Sequence, residues 1–194
     1  AYVKGCDLVS SGDVTLGAAN TSTITATVAA VAVAAGGGGT TGVGASIGAA
    51  LAANRIGWDT DGNRVPAKVQ AYLENSDVDA AGILSLSASA DETIDALILA
   101  GSVAISAAGT TGVGLSGAGA DAENKIATSV KAYIDGDGTS VITAAQIVLD
   151  AEDTSEITAD VVGASLAGSV AGATAVSLSI GVSLAENIIG NEVA

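Results

Sequence analysis

The chain has 194 residues, with six basic and 21 acidic side chains for a formal net charge of −15. That balance excludes a basic nucleic-acid-binding face and disfavours anionic membrane surfaces, because both partners need clustered Lys and Arg. With no histidine and Cys6 as the one cysteine, the usual zinc sets, a Ser-His-Asp triad, a Cys-His pair and an intrachain disulfide are all excluded.

In chain order, the first residues read Ala1-Tyr2, a pair that returns at Ala71-Tyr72 and Ala132-Tyr133. Such internal repetition is the dominant signal and sets the reading of everything else. Next come apolar residues at period two: Val14, Leu16, Ala18, then Ile24, Ala26, Val28. The second copy gives Leu84, Leu86, Ala88 and Ile94, Ala96, Ile98; the third gives Ile147, Leu149, Ala151 and Ile157, Ala159, Val161. Alternation with Thr and Ser between predicts strands. The Ala-rich run from Thr27 to Ala35 has helical propensity, but interleaved Val and flanking glycines favour strand there too. A Gly-rich centre follows, Gly36 to Gly39, with GTTGVG from Gly39 to Gly44 and again from Gly109 to Gly114, and a drifted GATAVS from Gly172 to Ser177. These glycines predict a turn joining two long strands as a hairpin. The returning strand carries Val43, Ala45, Ile47, Ala49 and Leu51, and each copy closes on Asn-x-Ile at Asn54, Asn124 and Asn187.

The Tyr offsets are 70 and 61 residues and the Asn-x-Ile offsets are 70 and 63. Units of 1–70, 71–131 and 132–194 result, with the surplus of the first in an insertion at 57–70 that holds the lone Pro66. Residues 14–54, 96–120 and 161–185 carry no charge. Strands apolar on both faces are buried on both, so these stretches call for a second layer, another molecule or lipid. Val28, Val31, Val33, Val43, Ile47, Val113, Leu115, Leu178 and Ile180 are the candidate assembly residues. With 26 glycines and 2% aromatic residues, a unit cannot bury a core alone; stacking copies edge to edge supplies the missing neighbour.

The cycle of Ala-Tyr, Asp-rich strand, Leu-Ser-Leu-like strand, GTTGVG and Asn-x-Ile resembles repeats of leukotoxin-like filamentous adhesins, similar in style to filamentous haemagglutinin-type surface proteins. AYLENSDVDAAGILSLSASA, 71–90, carries the likeness most fully. The resemblance implies an all-β, parallel β-solenoid (β-helix) of about three 61–70-residue repeats. It also implies an extracellular, cell-surface fibre. The 57–70 insertion and the acidic Asp135 to Ser140 depart from the pattern.

Asp59, Asp61 and Asn63 in WDTDGN resemble the opening of a calcium loop, although the Gly falls at position four (Gly62), Arg64 holds position six where that Gly belongs, and Gln70 replaces the bidentate Glu at twelve. A plain Asp-Gly turn is the alternative, here and for Asp135 and Asp137. Asp91-Glu92 and Asp150, Glu152, Asp153 read as a solvated acidic face rather than an acid–base pair. Thr21, Thr23, Thr25 and Thr27 form a row explained by strand propensity, although such a row could order water or ice. Trp58 could stack on a sugar or a neighbouring subunit, or cover the insertion. No P-loop Lys follows the glycine runs. Neither catalysis nor a cofactor other than calcium is expected. The leading expectation is a structural fibre or adhesin segment that forms homo-oligomers or filaments through β-edges and Gly/Ala-rich hairpins. A calcium- or glycan-binding surface module and a membrane-active β-hairpin protein are the alternatives.

Overall fold

A computed structural model describes all of residues 1–194. It is all-β, with parallel strands throughout the ladders and no helix. The first turn of chain runs through β1 (Tyr2–Lys4), β2 (Asp7–Ser10), β3 (Val14–Gly38) and β4 (Thr41–Ile56). The second runs through β5 (Ala67–Glu74), β6 (Asp77–Ala80), β7 (Ile83–Ala108) and β8 (Thr111–Ile126). The third runs through β9 (Thr128–Asp135), β10 (Ile142–Thr143), β11 (Gln146–Asp153), β12 (Glu156–Ala171) and β13 (Thr174–Ile189); β14 (Glu192–Val193) then adds to β9. Equivalent strands pair in register, giving the sheets β1-β5-β9-β14, β2-β6-β10, β3-β7-β11/β12 and β4-β8-β13, with the second turn always in the middle. This is a parallel β-solenoid, and Tyr2, Tyr72 and Tyr133 lie above one another as expected.

The repeat boundaries read from the sequence fall inside β5 and β9, because Ala67 already pairs with Thr128. The inserted residues are therefore 57–66, and 67–70 are strand. The corner between the first two sheets needs a left-handed residue, supplied by Gly5 (φ 61°) in the first turn and Asn75 (φ 47°) in the second.

The predicted hairpin is corrected by the structure. β3 and β4 do not pair with each other; each spends its hydrogen bonds on the equivalent strand of the next turn. The two strands instead face each other through side chains, as an arch. The cross-section thus has a broad base and a thin lobe. In the base, Leu73, Val78, Leu84, Leu86 and Val130 are buried between the first two sheets and the start of the third. In the lobe, the core is Ala96, Ile98, Ala100, Ala118, Ala120 and Ala122. Small residues face inward there because the layers nearly touch: a Cβ on Gly114 would lie 2.6 Å from the Gly168 carbonyl oxygen. By contrast, a Cβ on outward-facing Gly119 would meet nothing within 4 Å.

Gly114→Ala should therefore lower stability by about 1–3 kcal/mol through overpacking, whereas Gly119→Ala should be neutral or stabilising by up to about 1 kcal/mol. Urea unfolding of the two variants checks the contrast; equal effects would contradict the close approach of the layers.

Candidate functional site

Stacking in register places each side chain over its own copy, and the sites follow from that. On the outside of the base, Tyr2, Tyr72 and Tyr133 stack with ring centroids 5.4 and 4.9 Å apart. Inside, at the root of the lobe, the Asn-x-Ile asparagines form a ladder. Asn54 Nδ2 donates to Asn124 Oδ1 at 2.8 Å, and Asn124 Nδ2 donates to Asn187 Oδ1 at 2.9 Å. An amide is both donor and acceptor, so the same residue in each turn satisfies its neighbours. In the lobe interior, Ser102 Oγ donates to Ser46 Oγ at 2.8 Å and Ser116 Oγ lies 2.9 Å from both the Ser102 hydroxyl and carbonyl oxygens.

Two carboxylates join these inner ladders. Glu92 was expected on a solvated face beside Asp91, but it is fully buried while Asp91 is exposed. Neighbours on a strand point to opposite faces, so only one of an adjacent acidic pair can be solvated. Glu92 accepts Asn20 Nδ2 at 2.5 Å and Ser155 Oγ at 2.9 Å, one from each flanking turn. Asp153 accepts the Ser155 N–H at 3.0 Å, Asn191 Nδ2 at 2.8 Å and the Thr128 hydroxyl. Burial pulls its pKa upward, yet these donors outweigh it and hold the carboxyl below the ordinary range. Repetition of Asn-x-Ile marked the asparagine ladder in the sequence; nothing local marked Glu92.

The proposed calcium residues sit together in the 57–66 turn. Asp59 Oδ1 accepts the N–H groups of Asp61 (3.0 Å) and Asn63 (2.7 Å), and Oδ2 accepts Asn63 Nδ2 at 2.9 Å. Its pKa is lowered chiefly by that Asn63 side chain. The chain's own amides thus occupy both oxygens, and no group of three or more acidic or Cys side chains gathers in a metal-binding geometry. Asp135 closes β9. Asp137 acts like Asp59, accepting the Thr139 and Ser140 N–H groups at 2.9 and 3.1 Å. Trp58 is half-buried, with Lys125 Nζ 5.3 Å from its ring centroid. The Thr21 to Thr27 row faces outward on the base side of β3 and runs beside Asp91, Thr93, Asp95 and Leu97, so it is not a threonine array.

The candidate assembly residues divide by face. Val31, Val33, Val43, Ile47, Leu115, Leu178 and Ile180 are exposed, and Val113 shares their outward side. Val28 instead points inward and packs on the alanine cluster. The Gly and Ala that were expected to join layers do so between the two sheets of the lobe, leaving most of the larger residues outside. Both ends of the stack present unpaired strand edges, β4 at one end and β13 at the other. No protein-family model, curated protein or solved structure matches the chain.

Two measurements test the polar elements. Asn124→Ala strips partners from Asn54 and Asn187, and a buried amide left unsatisfied costs about 1–3 kcal/mol, so a loss of roughly 2–4 kcal/mol is expected in urea unfolding. For Asp137, hydrogen bonds from the Thr139 side chain and N–H lower the pKa from 3.8 to about 2. The folded value lies below the unfolded one, so this stabilisation is present above about pH 4 and disappears as pH falls through 2. Monitoring the Thr139 amide by NMR should show a midpoint near 2 that Asp137→Ala abolishes.

Proposed function

We propose that this chain is a structural, self-associating segment of an extracellular surface fibre, in which solenoids join end to end through their open β-edges. The observation that carries this reading is the pair of long edges at the two ends of the stack. β3 with β4 offers 25 and 16 residues, and β12 with β13 offers 16 and 16. Exposed, straight edges of that length template further strands. They have the same registers that already join the turns inside the chain, where Thr41, Thr111 and Thr174 stand in one row. The charges bridge turns rather than block them: Lys4 meets Glu74 at 2.7 Å and Arg55 meets Glu123 at 2.9 Å. Load would pass through inter-turn backbone hydrogen bonds, and the function is mechanical. The adhesin-like repeat style seen in 71–90 supports placement at a cell surface.

The edge can be blocked directly. The Thr174 N–H donates to Thr110 in the preceding turn, so by strand alternation the N–H groups of Ala175 and Ala185 face the open side. Proline at both positions removes donors and is compatible with an edge strand. The parent protein should form linear particles in negative stain, with lengths in steps of one chain. Ala175→Pro/Ala185→Pro should retain the β-type circular dichroism spectrum and remain as single units. Monomers for the parent at all concentrations would contradict the proposal.

A further inference from the structure

The lobe is unusual in polarity. Apart from the inner row of Val28, Ile98 and Val161, its interior is Gly, Ala and Ser, while its outer faces carry Val, Leu and Ile, with Ile47 83% and Ile180 55% exposed. On the β4-β8-β13 face this apolar band runs from the tip to Asp121, where charge resumes with Glu123 and Glu186. Lipid is a poor occupant, because both ends of the stack carry unpaired backbone that hydrocarbon cannot satisfy.

The band is ridged. In β8, Leu115 stands out while Gly117 leaves a gap between Ile47 and Ile180, forming an open groove of about 290 Å³; two residues on, Gly119 leaves a second gap between Ala49 and Val182. Nothing inside the chain requires these glycines. A Cβ on Gly117 would meet only Ile47 Cγ1 at 3.9 Å, and one on Gly119 would meet nothing. Strand glycines weaken a sheet, so space left unused by the chain fits a side chain from elsewhere.

We propose that the occupant is the same face of a second copy, related by a two-fold axis that runs along the stack at the level of Ser116. This operation sets Leu115 of one copy against Gly117 of the other, Val113 against Gly119, and Ala45 against Ile47. Large meets small across the first two turns. The lobes lie antiparallel, so Asp121 of each, which no cation meets, faces the uncharged tip of the other at Thr111. A parallel pairing would bring Asp121 against Asp121. Because the axis follows the stack, both solenoids run in the same direction and the contact extends turn by turn.

The area also favours pairing that depends on stacking. Eleven residues at about 3.3 Å by three strands at about 4.8 Å give roughly 500 Å² per copy, against about 800 Å² for a stable interface. One chain pairs weakly, and two stacked chains suffice. The inference thus rests on the fibre reading for strength but not for geometry.

Cross-linking separates the two. In a Cys6→Ser background, Thr111→Cys and Asp121→Cys proteins are mixed with a short bis-maleimide. The 111–121 product should exceed the 111–111 and 121–121 products at least tenfold; along one strand these sites are about 33 Å apart, so end-to-end stacking cannot join them. Gly117→Leu, which the chain itself accommodates, should cut the yield about tenfold without changing the melting temperature. The Ala175→Pro/Ala185→Pro variant should still cross-link at high concentration although filaments are gone. Same-position products, no product at any concentration, an unchanged yield with Gly117→Leu, or insertion into phosphatidylcholine vesicles with dye release would overturn the proposal.

Discussion

Parallel, in-register pairing between successive turns governs this molecule. Once Tyr2, Tyr72 and Tyr133 share a row, every other side chain of those strands is placed over its counterpart, and the same holds within each of the other sheets. A residue type is then tolerated inside only if it can stack on itself. Asparagine and serine satisfy this through amide and hydroxyl groups that both donate and accept. On the outer face, tyrosine stacks on itself through its ring. Carboxylates do not, since like charges directly opposite repel. Buried Glu92 accordingly has Ser22 and Ser155 in the flanking register positions rather than further acids.

The charge distribution follows the same constraint. Glu123 and Glu186 do stand in one row, and Arg55 and Lys125 both pair with Glu123. Lys125 and then Arg55 hold the Glu123 carboxyl below the ordinary range. Individually such partly exposed pairs contribute little. Their effect is to keep an acidic repeat from repelling its own copy, while the remaining acids spread over the outer base.

The arch explains why a chain so poor in large residues folds at all. Two sheets whose inner faces are mostly Gly, Ala and Ser approach closely enough to exclude water with few bulky side chains. The same closeness leaves inner room for only one row of larger residues, Val28, Ile98 and Val161, and the other Val, Leu and Ile of the lobe stand outside. A solenoid built this way is an incomplete object along its length and across its lobes. The edges invite another strand, and the ridged face invites another layer.

The sequence alone was enough for the strand periods, the three-fold recurrence and the turn at GTTGVG, because these are local patterns of spacing and composition. Asp59 and Asp137 were readable as turn residues for the same reason. Three things were decided only by tertiary structure. Whether the two long strands would pair as a hairpin or face as an arch depends on where their hydrogen bonds go, and both options share one alternation pattern. Which face of each strand is interior depends on the layer across from it, so Val28 and Glu92 turned inward although composition suggested contact surface and solvent. Repeat offsets located the first turn's surplus at 57–70, but its end at residue 66 was visible only from Ala67 opposite Thr128, since register is a relation between distant segments that no local spacing encodes.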